Sequence, residues 1–186
     1  MERRISDRNL LDDICVNFCN ILEKHCRYIV VSGFVAISSG RTRGTEDIDF
    51  IIEKMGKIEF DLLHKDLAQN GFICMQGENS RNLYNDYLYE NLSIRYTHRD
   101  LALPEMELKL AKDELDEYQL KNRIKLEMTG LDVWFSTIDS NIAFKEELLK
   151  SDKDMEDAKH LRIVYSGIIN EMEIKRIKQM IKRLRL

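Results

Sequence analysis

The sequence predicts an α/β protein of the α+β kind, in which a small sheet is flanked by helices and followed by a helical C-terminal part. Through the first part of the chain, short apolar runs alternate with amphipathic helical patterns. After Ser136 every pattern is helical, so we predict one unit over residues 1–136 and a helical subdomain over 137–186. A length of 186 residues with 44% hydrophobic content suffices for one packed core and a small helical annex.

The first part of the chain divides into clear elements. Ser6 or Asp7 is a suitable cap for a first helix, whose apolar stripe runs from Leu11 to Leu22. A second helix over Lys57–Asn70 ends at Gly71. The predicted strands are Tyr28–Val31, Asp47–Glu53, Phe72–Gln76, Leu92–Thr97 and Glu105–Leu110.

The remaining segments are mostly helical. Helices are predicted over Arg81–Asn91, Asp113–Leu120, Thr137–Leu149, Lys153–Tyr165 and Asn170–Leu184. Thr129-Gly130 is a plausible two-residue turn, which predicts a hairpin of Arg123–Met128 and Leu131–Phe135.

Two aspartates in the second strand are the strongest functional signal. Asp47 and Asp49 lie at i and i+2, so their side chains project from one face of the strand, roughly 7 Å apart. Carboxylate oxygens are the ligands that Mg²⁺ prefers. Upstream, the Ser32-Gly33 turn follows an apolar strand and can present backbone N–H groups to phosphates. A phosphate-binding turn beside two metal-binding carboxylates is suited to phosphoryl or nucleotidyl transfer.

These residues resemble the signature of the nucleotidyltransferase superfamily with the DNA polymerase β-like fold. Ser32, Gly33, Val35 and Ala36 stand near the family's Gly-Gly block, and Arg43, Thr45, Asp47, Ile48 and Asp49 match its Arg-x-Thr-x-Asp-Ile-Asp block. The run from Lys153 to Leu161 is similar to a Lys-Asp-x-x-Asp-x-x-x-Leu run of small prokaryotic members, including abortive-infection type toxins. Ser32 departs from the pattern, because relatives carry glycine there.

The resemblance implies a small mixed sheet of the polymerase β type. It also implies Mg²⁺- or Mn²⁺-dependent transfer of a nucleoside monophosphate from an NTP, ATP being preferred, to an acceptor hydroxyl. The acceptor could be tRNA or another RNA, a partner protein or a small molecule, and the role could lie in toxin–antitoxin or phage-defence systems. Ser32, Gly33, Arg43, Thr45 and Lys153 would contact the nucleotide, and Asp47 and Asp49 would bind metal. The alternative is an inactive relative that binds nucleotides or proteins.

The superfamily normally carries a third carboxylate, and two positions compete for it here. Glu107 lies between Met106 and Leu108 in the predicted strand Glu105–Leu110, and Asp132 lies between Leu131 and Val133. We favour Glu107 as the third metal ligand or general base, because Asp132 lies only two residues after the Thr129-Gly130 turn. The remaining alternative is that neither residue has this role.

Composition narrows the remaining possibilities. A net charge of −4 gives no general case for nucleic-acid binding, and no apolar run approaches the roughly 20 residues of a membrane helix. The first residues lack the apolar core of a signal peptide, so we expect a cytoplasmic protein. The four cysteines are interpreted as small buried hydrophobes. The basic segment Lys175–Leu186 is either an RNA clamp or the cationic end of an amphipathic helix.

Overall fold

A computed structural model describes residues 10–101 and 103–186, and its centre is a five-stranded mixed sheet. The strands are β1 (Tyr28–Val31), β2 (Asp47–Ile52), β3 (Phe72–Cys74), β4 (Ile94–His98) and β5 (Glu105–Leu110). Their order is β1-β2-β5-β4-β3, in which β2 and β5 are parallel and all other pairs are antiparallel. The α/β prediction with a small mixed sheet is therefore confirmed.

Eight helices surround this sheet within the described residues. They are α1 (Leu10–Leu22), α2 (Gly33–Ser38), α3 (Lys57–Gln69), α4 (Ser80–Leu83), α5 (Glu114–Lys121), α6 (Ile138–Phe144), α7 (Asp152–Val164) and α8 (Glu171–Arg185). Single π-helical turns over Tyr84–Leu88 and Lys145–Leu149 extend α4 and α6. The proposed caps Ser6 and Asp7 lie outside the described residues.

One face of the sheet forms the main core. Phe50 of β2 packs against Phe18 of α1, with ring centroids 5.0 Å apart. Alternation along the strands sends Ile48, Phe50 and Ile52 to this face, and it sends Asp47 and Asp49 to the other. On that second face, Ile29, Ile51, Ala111 and Leu120 form a smaller buried cluster. The acidic residues therefore lie at the edge of a buried patch.

The C-terminal helices pack on one another, and the segment that leads into them is hydrogen-bonded to the sheet. Ile174, Ile177 and Ile181 of α8 are fully buried, as expected for the stripe of an amphipathic helix. Phe135 bridges to Val30 of β1, and the Ser136 amide donates to the Val30 carbonyl at 3.0 Å. The boundary at residue 136 stays a prediction.

The predicted hairpin over residues 123–135 is wrong. Residues Glu127–Thr129 form a 3₁₀ turn, Gly130 is left-handed at φ 66°, and Ile124 pairs with Phe135 by an isolated bridge. Side-chain contacts stabilise this segment in place of a continuous series of backbone hydrogen bonds between two strands. Thr129 donates its hydroxyl to the Leu126 carbonyl and accepts the Leu131 amide, while the Arg123 guanidinium lies 4.4 Å from the Trp134 ring.

Other boundaries shift by a few residues. The predicted helix Arg81–Asn91 begins one residue earlier, where Asn79 caps α4 by accepting hydrogen bonds from the amides of Arg81 and Asn82. It ends earlier as well, because the π-helical turn stops at Leu88 and Asn91 is left-handed at φ 58°. Gly71 follows α3 with a φ of 90°, as its role as terminator requires. Among the described residues, no helix combines the length and apolar character needed to cross a membrane.

Candidate active site

Two adjacent strands carry a row of carboxylates on one face of the sheet. The parallel register places Asp47 of β2 beside Glu105 of β5, and Asp49 beside Glu107. Parallel pairing brings neighbouring strands to about 4.8 Å, so the four side chains project together. We call these four residues the acidic row.

Asp49 lies in the most unfavourable environment of the row. Burial chiefly, together with the nearby charges of Asp47 and Glu107, raises its pKa to about 6. The charge of Lys109 on β5 and a hydrogen bond from Ser32 act in the opposite direction without cancelling the effect. At Asp49, burial and the neighbouring carboxylates therefore outweigh the charge of Lys109, as expected of a site that receives a further cation.

Ser32 adopts a conformation that normally belongs to glycine. Its φ of 64° and ψ of −133° match the first central position of a type II′ turn. Strain of this kind costs about 1–3 kcal/mol in a non-glycine residue. The serine thus holds a turn conformation that glycine adopts more easily, and its hydroxyl hydrogen-bonds to Asp49.

Gly33 is required by a close approach. A Cβ at this position would lie 2.0 Å from Nη2 of Arg43, so the guanidinium rests directly on the Gly33 backbone. The same guanidinium donates to Asp157 of α7 at 3.2 Å. Arg43 therefore connects the Ser32-Gly33 turn to the C-terminal helices.

The predicted nucleotide-binding residues line two cavities. Arg43, Thr45, Asp47 and Lys153 line an open groove of about 800 Å³. Ser32, Asp49 and Lys109 line a smaller cavity of about 130 Å³, whose opposite wall comes from α6 and its π-helical extension. Asp47 and Asp49 lie two residues apart on one face of β2, so the two cavities meet at that strand.

Thr45 positions the first aspartate. Its hydroxyl donates to the Asp47 carbonyl at 2.9 Å and lies 3.2 Å from the Asp47 carboxylate. These contacts lie where the loop that precedes β2 joins the strand. Thr45 is thus placed to orient Asp47 as well as to line the groove.

The two candidates for a third carboxylate have different surroundings. Glu107 lies beside Asp49, but its Oε2 accepts hydrogen bonds from Nε and Nη2 of Arg95 at 3.1 and 3.0 Å. Asp132 pairs with Lys125, its side chain is 80% exposed, and it lines neither cavity. The structure brings Glu107, and not Asp132, to the aspartate pair.

The donor set fits a divalent cation that also binds phosphate. In the described part of the chain, no three acidic, histidine or cysteine side chains converge closely enough to form a metal site by themselves. Mg²⁺, however, is commonly bound by one or two carboxylates together with substrate phosphates and water. Asp47 and Asp49 provide those carboxylates, and the pKa of Asp49 is raised chiefly by burial and also by the neighbouring carboxylates.

A buried ion cluster beside the site was missed in the sequence. Asp157 is fully buried, and the Nζ of Lys145, itself 1% exposed, donates to it at 2.8 Å. Arg41 Nε lies 2.9 Å from the other Asp157 oxygen in an ionic contact without hydrogen-bond geometry. The resemblance around Lys153 to Leu161 pointed to this helix, but the partners Lys145 and Arg41 are distant in sequence.

The basic C-terminal segment has acidic partners in space. Arg185 donates to Asp113 and Asp116 at 2.8 Å, and Lys178 donates to Glu146 at 2.7 Å. Arg183 pairs with Glu114. These contacts favour the amphipathic-helix interpretation over an RNA clamp.

Comparison with known proteins supports this fold. No family model and no curated sequence matches the chain. An antigenic nucleotidyltransferase-like protein from Paracoccidioides brasiliensis has a similar structure, with a TM-score of 0.55 and 15% identity over 94% of this chain and 88% of that one. The antibiotic-resistance factor ANT(2'')-Ia is similar with a TM-score of 0.52 and 13% identity over 92% and 93%. The chain therefore shares the fold of these two structures.

Proposed function

We propose that the protein transfers a nucleoside monophosphate from an NTP to an acceptor hydroxyl. The observation that carries this proposal is the acidic row beside the Ser32-Gly33 turn, in which Asp47 and Asp49 of β2 lie next to Glu105 and Glu107 of β5. Both solved structures described above share the fold in which the row is embedded.

The chain's own residues divide the work of binding. Ser32 lines the cavity next to Asp49, and Arg43 lines the groove next to Asp47, so phosphates that approach the two aspartates would meet both residues. A guanidinium suits phosphate because its N–H groups form paired contacts. Lys153 is exposed at the groove, where its ammonium can reach a further phosphate oxygen.

Asp47 and Asp49 would hold Mg²⁺ or Mn²⁺. The bound ion would neutralise phosphate charge and stabilise the attacking and leaving oxygens. Glu107, once free of Arg95, is placed to accept the proton of the acceptor hydroxyl. ATP is our preferred NTP. The acceptor remains open among an RNA such as tRNA, a partner protein and a small molecule, and a toxin–antitoxin or defence role is part of the same hypothesis.

One observation favours a second candidate, a nucleotide-binding module without turnover. Glu107 is paired with Arg95, so the third carboxylate is occupied by a cation of the protein itself. In that case the protein binds NTP and metal but transfers nothing.

A transfer experiment separates these candidates. Purified protein is incubated with each of the four α-³²P-labelled NTPs, Mg²⁺ and cell extract, and label in RNA, protein and small molecules is resolved. We expect label in one acceptor class with the wild type and none with Asp47→Asn/Asp49→Asn. NTP binding by calorimetry without any transfer would select the binding module. If the double variant keeps both NTP binding and transfer, the assignment of Asp47 and Asp49 to the site is wrong.

A further inference from the structure

Arg95 occupies a special place next to the acidic row. It lies on β4 directly opposite Glu107 in the antiparallel register, so the row Asp49, Glu107, Arg95 runs across three strands. Both Nε and Nη2 of Arg95 bind the same oxygen of Glu107, and Nε also lies 3.5 Å from Glu105. Two of the four carboxylates thus share one arginine.

The cations that face the row are unequal. Lys109 acts on Asp49, whereas Arg95 acts on Glu107, Glu105 and more weakly on Asp47. Arg95 therefore neutralises the β5 side of the row, and it draws the Glu107 carboxylate toward β4. As they stand, Glu107 and the two aspartates do not form a three-ligand metal site within the described residues.

The contact is also easy to open. The Arg95 side chain is 46% exposed, and exposed ion pairs of this kind contribute only about 0–1 kcal/mol. A divalent ion at Asp47 and Asp49 would repel the guanidinium and attract Glu107. Breaking the Arg95 contact is then a small cost relative to the charge gained.

We propose that Arg95 is a latch that keeps Glu107 out of the metal site until a divalent cation arrives. The inference rests on the proposed function, because it needs Asp47 and Asp49 to bind metal. Arg95 is a positioning residue that acts through Glu107. In the closed state the arginine serves as the counter-ion of Glu107. In the open state Glu107 turns toward Asp49, and Arg95 stays paired with Glu105 alone.

The test is Mn²⁺ affinity measured by electron paramagnetic resonance on the full chain, without NTP. Arg95→Gln removes the latch and should bind Mn²⁺ about 3- to 10-fold more tightly than the wild type, since a competing cation and its contact are lost. Arg95→Lys keeps the charge but loses the fork, so its affinity should lie between the two. Arg99→Gln changes the net charge equally just past the end of β4, where Arg99 donates to the Ala68 carbonyl, and should match the wild type.

The gain must depend on Glu107. In an Arg95→Gln/Glu107→Gln protein the tighter binding should disappear, because the released carboxylate is absent. Unchanged or weaker Mn²⁺ binding by Arg95→Gln would overturn the latch, as would a gain that survives in the double variant. If Asp47→Asn/Asp49→Asn binds Mn²⁺ as the wild type does, the metal site of the proposed function fails instead. If Asp47→Asn/Asp49→Asn loses Mn²⁺ binding but Arg95→Gln does not bind Mn²⁺ more tightly, the latch fails and the proposed metal site stands.

Discussion

Two partly or fully buried aspartates, Asp49 and Asp157, lie near the same cleft and have opposite surroundings. Asp157 is surrounded by Lys145, Arg41 and Arg43 at 2.8 to 3.2 Å. Asp49 has two acidic neighbours, and burial raises its pKa to about 6. Three cations of the protein surround Asp157, whereas Lys109 and the Ser32 hydroxyl offset only part of the unfavourable environment of Asp49.

The difference separates a structural role from a functional one. A buried carboxylate without a partner is costly, so a fold retains one only where a ligand or a proton completes it. Asp157 joins α7 to the Arg41–Arg43 loop and so fixes the wall of the groove. Asp49 leaves room for a cation from solution.

The largest expected effect concerns transfer activity in the acidic row. Glu107→Gln should lower the rate of transfer by about 10²–10⁴-fold, because the positioned proton acceptor is lost. Asp132→Asn is the matched control and should be nearly silent, since Asp132 is 80% exposed and pairs with Lys125. The rates are compared with labelled NTP at saturating Mg²⁺. The reverse pattern would move the catalytic role to Asp132.

Replacing Asp157 should lower the free energy of unfolding. Asp157→Ala leaves the buried Lys145 without its partner at 2.8 Å. Loss of one partner of a buried ion pair lowers the free energy of unfolding by about 3–5 kcal/mol. Asp154→Ala removes the more exposed partner of the same lysine at 3.2 Å and should cost clearly less. Urea unfolding measures both. Equal losses would show that Asp157 does not anchor the cluster.

Replacing Asp49 should change the free energy of unfolding in the opposite direction. In metal-free buffer at pH 8, Asp49→Asn should raise the free energy of unfolding by on the order of 1–3 kcal/mol, because the folded state no longer holds a desolvated charge. The raised pKa means that wild-type stability falls as pH rises from about 4 to about 6. The gain should therefore vanish as pH falls through this window. A loss of stability at pH 8 would refute the assigned environment of Asp49.

The smallest effect is expected in the basic C-terminal segment. Lys182→Gln/Arg183→Gln removes two exposed cations paired with Glu147 and Glu114, and such pairs contribute about 0–1 kcal/mol each. Thermal unfolding should shift little, and NTP binding should be unchanged. A salt-dependent RNA affinity that drops in this variant would restore the RNA clamp.

The sequence predicted much of the fold because its patterns are local. The alternation of β2 and β5, the stripe of α8 and the Ser32-Gly33 turn can all be read from neighbouring residues. The hairpin over residues 123–135 failed because long-range contacts of Phe135 and Trp134 override the local turn signal.

The candidate site shows the same limit. Asp47, Asp49 and Glu107 could be proposed from local motifs and a family resemblance. The roles of Arg95 and Lys145 could not, because Arg95 meets Glu107 only through strand register and Lys145 meets Asp157 only through helix packing. Lys109 was accessible in principle, since it alternates with Glu105 and Glu107 in the strand pattern.

The central claim is that Asp49 is a carboxylate awaiting a cation, and its titration tests this most directly. Carbon-detected NMR of the Asp49 carboxyl group, assigned with Asp49→Asn, gives its pKa with and without Mg²⁺. We predict a pKa of about 6 in the metal-free protein, raised chiefly by burial, and a clear decrease when Mg²⁺ is added. An ordinary aspartate pKa in the metal-free protein, or a raised pKa that Mg²⁺ leaves unchanged, would contradict the account.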